Sequence, residues 1–258
     1  MAPVLLTKRI EFSAAHRYHN DRWSAERNRA VFGACNNEPG HGHNYLLEVT
    51  VSGEVDPQTG MVVNLFDLKR VLQEALEEFD HYHLNLDTPY FKDVIPTTEN
   101  LARVFWRRLQ AQKDIGALHA IRLFEDEDLY TDVTAVDGLD VAKITRRYQF
   151  TAVYREGRAS SGAGWSGHTW ELFVTVRGPI DRDTGMVTDI VALDRVVQAN
   201  VIQPFNGQDL GKVLGLEQVT GEQLVRGIWD RLVKSVRGGT LERVRLVQTQ
   251  DLVFEYGA

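Results

Sequence analysis

The stretch His43-Asn-Tyr-Leu-Leu-Glu-Val-Thr-Val-Ser-Gly-Glu-Val-Asp-Pro-Gln-Thr-Gly-Met-Val62 recurs, without a gap, as His168-Thr-Trp-Glu-Leu-Phe-Val-Thr-Val-Arg-Gly-Pro-Ile-Asp-Arg-Asp-Thr-Gly-Met-Val187. Outward from it the likeness continues. Phe12-Ser-Ala-Ala-His16 answers to Phe150-Thr-Ala-Val-Tyr154, and Thr97-Thr-Glu-Asn-Leu101 to Thr220-Gly-Glu-Gln-Leu224. Self-similarity over so long a unit marks a duplicated domain rather than a solenoid repeat. The sequence therefore predicts two domains, residues 1–140 and 141–258, joined near residues 137–146.

Each copy reads as strand, strand, helix, helix, strand, strand. Tyr45, Leu47, Val49 and Val51 alternate along one face of a strand, and Asp56-Pro-Gln-Thr-Gly60 turns the chain onward. A first helix is predicted from Asn64, a good N-cap with Asp67 in the first turn, its stripe formed by Leu65, Leu68, Leu72, Leu76 and Phe79. A second follows Pro96-Thr97 with Leu101, Val104, Phe105 and Leu109, before a strand over Ala120-Ile-Arg-Leu-Phe-Glu125. Such helical faces need a sheet beneath them, so the class is α+β, each unit an antiparallel four-stranded sheet with two helices on one face.

The 258 residues carry a formal charge of -7, with 43% apolar and 25% charged residues, an ordinary globular balance. That acidity argues against nucleic acid and anionic membrane surfaces as main partners, both of which need a basic footprint. One cysteine excludes an internal disulfide. The first residues, Met-Ala-Pro-Val-Leu-Leu-Thr-Lys-Arg, are too poor in apolar side chains for a signal peptide, and no window approaches the roughly 20 apolar residues of a membrane span. A reducing, cytoplasmic setting is the expectation.

The chemistry gathers in Cys35-Asn-Asn-Glu-Pro-Gly-His41-Gly-His43-Asn-Tyr45. Imidazoles at i and i+2 of a strand share a face, so His41 and His43 can reach one metal ion. His16 ends another alternating run on the parity of Ile10 and Phe12; if the two strands are neighbours, three neutral imidazoles converge. Three nitrogen ligands suit Zn2+ and leave its fourth position for water or substrate. Cys35 is open to three readings: a buried small hydrophobe, a fourth ligand, or a thiol whose pKa a metal and a protonatable histidine lower until it acts as a general base. In the second copy the reactive groups go while the scaffold stays: His16 becomes Tyr154, His41 becomes Ser166, Asp80-His81 becomes Asn206-Gly207 and Glu125 becomes Gln248. His168 alone survives, opposite His43. One metal per chain is expected, in the first half, with the second half serving assembly.

Together these residues resemble the 6-pyruvoyl-tetrahydropterin synthase family, which includes the 6-carboxytetrahydropterin synthases of queuosine synthesis. The resemblance covers nearly all of the first copy: Phe12 to His16, Phe32-Gly-Ala-Cys35, Cys35 to Tyr45, Asp56 to Met61, Asp80-His81, Thr97-Thr-Glu99 and Leu123-Phe-Glu125. It implies the tunnelling fold, in which units associate side by side and bind pterin-like rings at their seams, and hence a homo-oligomer; three chains with first copies in one ring and second copies in another is one arrangement it allows. It implies that 7,8-dihydroneopterin triphosphate loses triphosphate to give 6-pyruvoyl-tetrahydropterin, with Zn2+ on His16, His41 and His43 and no external redox cofactor. It also implies that Asp80 and His81 form a proton relay with Cys35, and that Glu125 anchors the 2-amino and ring N–H donors of the pterin. Thr97, a helix cap in any case, and Glu99 would line the same pocket. The five residues between Cys35 and His41 are like the pyruvoyl-forming branch. The rival readings are a 6-carboxytetrahydropterin synthase, which ejects a two-carbon aldehyde, and a pterin- or purine-binding module with a structural zinc.

Overall fold

A computed structural model describes residues 3–112, 115–155 and 164–257. Contacts divide it into two units, Met1–Ile144 with Pro179–Val187, and Thr145–Gly178 with Thr188–Ala258. The turn at the end of the second copy's repeated stretch thus belongs with the first unit.

In the first unit, β1 (Val4–His16) pairs antiparallel with β2 (His41–Gly53), β2 with β4 (Ala117–Asp126), and β4 with β5 (Leu129–Thr134). A two-residue strand, β3 (Tyr82–His83), lies parallel on the free edge of β1. Tyr45, Leu47, Val49 and Val51 are fully buried, as their alternation requires. Over that face lie α2 (Leu65–Leu76) and α4 (Thr98–Gln110). Asn64 caps α2 by accepting from Phe66 N, and Leu68, Leu72, Leu76 and Phe79 are buried; Leu65, in the first turn, is exposed, so the stripe is one residue shorter than its spacing predicts. Thr97 caps α4, and Leu101, Val104, Phe105 and Leu109 pack inward. Two further short helices, α1 (Ala25–Phe32) and α3 (Leu84–Asp87), sit in connections that read as loops.

The second unit repeats the plan with β6 (Val141–Arg155), β7 (Trp165–Pro179), β8 (Thr240–Thr249) and β9 (Leu252–Gly257). Its helices are α5 (Ile190–Val197), α6 (Gln203–Phe205), α7 (Leu210–Leu214) and α8 (Gly221–Leu232). A π-helical stretch, Gln198–Ile202, lies between α5 and α6. Register is kept even in its irregularities. The β2–β4 ladder shifts between Thr50 and Val51, and the β7–β8 ladder between Thr175 and Val176, the matching positions of the repeat.

Candidate metal and pterin site

His16 pairs directly with His41, and Ala14 with His43, so the three imidazoles stand on one face of the β1–β2 ladder. Their ligand nitrogens lie within 4.8 Å of one another. His16 is fully buried, and burial lowers its pKa to about 4 despite the nearby Glu125 carboxylate. Burial, then the neighbouring His43, also lowers that of His41. These rings are therefore neutral, the form that ligates a metal. Tyr45 Oη is 2.9 Å from His16 Nδ1; with the ring N–H donating to it, the Nε2 lone pair points to the cluster. His16 Nε2 and His41 Nε2 are 3.3 Å apart, and His43 Nε2 is buried with no hydrogen-bond partner. Lone pairs converging on a buried point with too few hydrogens between them fit a cation.

Cys35 reaches the same place by a different route. Ser24 caps α1, and the chain then tightens into the 3-10 turn Gly33–Asn36, which carries the thiol. Tyr18 N donates to Cys35 O at 2.8 Å, Asn36 Nδ2 to Tyr18 O, and Arg17 Nε to Asn36 O. His83, at 3.0 Å from Pro39 O, braces the far end of this loop, and His19 contacts Asn36. Gly40 is obligatory: φ is +126°, and a Cβ there would stand 2.4 Å from His16 O. The outcome is a second grouping in which a ligand atom each of His16, Cys35 and Glu125 lie within 4.8 Å of one another.

Glu125, at the end of β4, is buried. Tyr18 Oη donates to its Oε2 at 2.7 Å and Thr98 Oγ1 at 2.9 Å, while Oε1 faces His43 Nε2 at 3.7 Å. Burial opposes its charge, but His16, His43 and the two hydroxyls outweigh it and hold the carboxyl below its usual range. Oε1 thus presents an ionised acceptor toward the cluster. Glu99 is different: burial raises its pKa to about 7, and its Oε1 accepts from Val187 N at 2.9 Å. Thr97 Oγ1 accepts from Asn100 N and donates to Gly185 O.

Asp80 and His81 lie elsewhere, at the outer edge of β1. Ser13 N donates to Asp80 Oδ1, His81 N donates to Ser13 O, and His81 Nδ1 is 3.0 Å from Asp80 Oδ1. Both bonds are to the Ser13 backbone, which lies in the plane of the sheet, so the pair sits along the β1 edge beside β3. His81 is exposed, with φ of +65°.

In the second unit Gln248 Nε2 donates to Tyr154 Oη at 3.0 Å and lies 3.1 Å from His168 Nε2, so side-chain hydrogen bonds take the place of the imidazole cluster. Phe254 packs on Gly221, where the first copy has Thr98. Among the described residues both groups able to hold a metal are in the first unit. The repeat's segment 156–163 lies outside the described residues.

The sequence had not singled out Tyr18, Thr98 or the Tyr45 hydroxyl. Tyr45 shares the parity of His41 and His43, a usable signal; Tyr18 and Thr98 reach Glu125 from sequence separations of 107 and 27 residues, and nothing local marks them.

Fold and site together define a class: a tandem α+β protein whose two units share one plan, with a three-histidine cluster able to hold a metal, a thiol and a buried carboxylate assembled, among the described residues, in the first unit. The family model for 6-pyruvoyl tetrahydropterin synthase matches residues 5–135 and again 143–258. The chain belongs to the 6-pyruvoyl tetrahydropterin synthase family, with both copies as members. The 6-pyruvoyl tetrahydrobiopterin synthase of Homo sapiens is 48% identical over 124 residues, 48% of this chain and 86% of its own length. That of Drosophila melanogaster is 43% identical over 124 residues, covering 47% and 74%. Among solved structures, the Caenorhabditis elegans 6-pyruvoyl tetrahydropterin synthase superposes with a TM-score of 0.50 at 35% identity, over 52% of this chain and 97% of that one.

Proposed function

We propose that the first unit converts 7,8-dihydroneopterin triphosphate to 6-pyruvoyl-tetrahydropterin with loss of triphosphate, a carbon–oxygen lyase reaction, and that the second unit, residues 141–258 by the repeat, has no catalytic site. The observation carrying this reading is the convergence of three imidazoles, a thiol and an ionised carboxylate within a few ångströms. His16, His41 and His43 would hold Zn2+, which as a Lewis acid withdraws charge from substrate oxygens and makes a neighbouring C–H proton removable near neutral pH.

The chain's own groups do the rest. Glu125 Oε1 accepts from the pterin's amino and ring N–H donors while Tyr18 and Thr98 lock Oε2, which sets the ring's orientation. Thr97 and Glu99 line the adjoining wall. Cys35 Sγ takes a side-chain proton from the bound substrate, and the loop bonds from Tyr18, Asn36 and Arg17 keep it in reach. Asp80 orients the His81 ring at 3.0 Å, and the pair, at the β1 edge, passes protons at a site completed in an assembly.

The test is incubation of the purified chain with 7,8-dihydroneopterin triphosphate and identification of products by mass spectrometry. Triphosphate and 6-pyruvoyl-tetrahydropterin are expected. A two-carbon aldehyde with a 6-carboxy product would make it the queuosine-pathway reaction, and binding without turnover would make it a pterin-binding module. Cys35→Ala should keep its zinc and lose about 100-fold or more of turnover, the usual worth of a positioned base. Loss of metal in that variant would make the thiol a ligand.

A further inference from the structure

Both hydroxyls that hold Glu125 come from segments tied to one turn. Thr98 Oγ1, 2.9 Å from Glu125 Oε2, stands between Thr97, which donates to Gly185 O, and Glu99, which accepts from Val187 N. Tyr18 Oη, 2.7 Å from the same oxygen, stands two residues before Asn20, whose Nδ2 donates to Asp183 O at 2.8 Å. Asp183, Gly185 and Val187 all belong to the Asp181–Val187 turn, which the repeat assigns to the second copy and the contacts assign to the first unit. In the equivalent turn of the first copy, residues 56–61 are exposed, and a Cβ on Gly60 would meet nothing within 4 Å. The hold on Glu125 thus falls to the second copy's turn.

The tie at Asn20 bears on a segment with little else to fix it. Residues 17–20 follow β1 without regular structure. The near end is held at the Cys35 turn, by Tyr18 N donating to Cys35 O and Asn36 Nδ2 to Tyr18 O. The far end is held by Asn20, which is 7% exposed and uses both atoms of its amide. Nδ2 reaches Asp183 O, Oδ1 accepts from Arg22 N, and the Asn20 main chain exchanges two bonds with the Asn28 amide. Arg22 adds an exposed tie to the same turn through Asp183 Oδ1. A hydroxyl on an irregular segment keeps its aim only while the segment is pinned on both sides, because each released residue regains backbone freedom.

We infer that Asn20 is a positioning residue for the pterin anchor: by clasping the Tyr18 segment to the second copy's turn, it keeps the Tyr18 hydroxyl on Glu125 Oε2 and leaves Oε1 for the ligand. The inference rests on Glu125 as the group that meets the pterin. It gives the second copy a part in the first copy's site through a turn that carries no reacting group.

Fluorescence titration of the full chain with 7,8-dihydroneopterin, the proposed substrate without its phosphates, tests this as a double-mutant cycle. Tyr18→Phe removes one bond to a carboxylate and should weaken binding about tenfold. Asn20→Ala should weaken it about fivefold in the otherwise wild-type chain and less than about twofold in the Tyr18→Phe background, with zinc content and the circular dichroism spectrum unchanged. Equal factors in both backgrounds, or binding that ignores Asn20, would overturn the inference. Under turnover Asn20→Ala should raise KM and leave kcat within about twofold; a fall in kcat with KM unmoved would overturn it too. If Asn20→Ala does not fold, Arg22→Ala carries the same comparison, with about a twofold loss expected in the wild-type chain and none behind Tyr18→Phe. No loss there, or one that persists behind Tyr18→Phe, would overturn the inference. A wild-type chain that does not bind 7,8-dihydroneopterin would overturn the reading of Glu125 and this inference with it, whereas binding indifferent to Asn20 overturns this inference alone.

Discussion

At the scale of single residues, His81 shows what an imidazole costs at a left-handed backbone position. It is the one non-glycine residue with positive φ among the described residues, at +65°, while its counterpart Gly207 has φ of +73° with the same backbone bond, Gly207 N to Thr151 O mirroring His81 N to Ser13 O. Asn206 Oδ1 accepts from Thr151 N just as Asp80 Oδ1 accepts from Ser13 N. The second copy has thus kept the turn and removed the side chain that strains it. His81→Gly should raise stability by about 1 kcal/mol, the usual cost of the left-handed region for a residue with a Cβ, and, on the proposed relay, should lower turnover. Chemical denaturation together with a turnover assay checks both halves; a loss of stability would show that the imidazole supports the fold. The grouping of His16, His41 and His43 was legible from strand parity, because parity is a local property, whereas Glu125 was singled out through the family resemblance and Cys35 stayed open to three readings. The partners that orient them were not, since Tyr18 and Thr98 meet Glu125 only after the chain has folded.

At the scale of elements, the start of α4 carries a pH-dependent penalty. Thr97 caps the helix, and Glu99 two residues on is buried, so burial drives its pKa from 4.5 to about 7. Below pH 4.5 Glu99 is protonated in folded and unfolded chains alike and the fold loses nothing. As pH rises toward 7 the unfolded chain ionises first, and stability falls by up to about 3 kcal/mol, at about 1.4 kcal/mol per pH unit. Glu99→Gln keeps an acceptor for Val187 N and has no proton to lose. Its unfolding midpoint should stay flatter than the wild type's between pH 4.5 and 7, measured by denaturant titration at a series of pH values. Equal slopes would mean that Glu99 is solvated. The helices themselves were readable, since capping residues and 3.6-residue stripes are local. The short α1, α3, α6 and α7 escaped, because none carries a stripe long enough to stand out from a loop.

For the whole molecule, the asymmetry between copies predicts one zinc per chain by elemental analysis. The Tyr154–Gln248–His168 hydrogen bonds satisfy the second unit's polar groups without an ion, whereas the first unit leaves His43 Nε2 unpaired. Chelation should therefore lower the melting temperature of the wild type, with about 2.7 kcal/mol lost when free metal had stood at 100 times its dissociation constant. His16→Tyr with Glu125→Gln, which copies the second unit, should bind no zinc and show no response to chelator. Two zinc ions per chain would reject the asymmetry.

The amino-acid order by itself determined that the chain is a duplication, that each copy alternates strands and capped helices in one order, and that the residues able to group around a metal are in the first copy. These are properties of spacing and side-chain type, carried by neighbours along the backbone. Tertiary structure alone decided that the Asp181–Val187 turn lodges on α4 while its twin Asp56–Val62 stays bare, and that Tyr18 and Thr98 meet on Glu125. Two turns of nearly the same sequence cannot differ by local preference; what separates them is which helix start lies within reach once the sheets have formed.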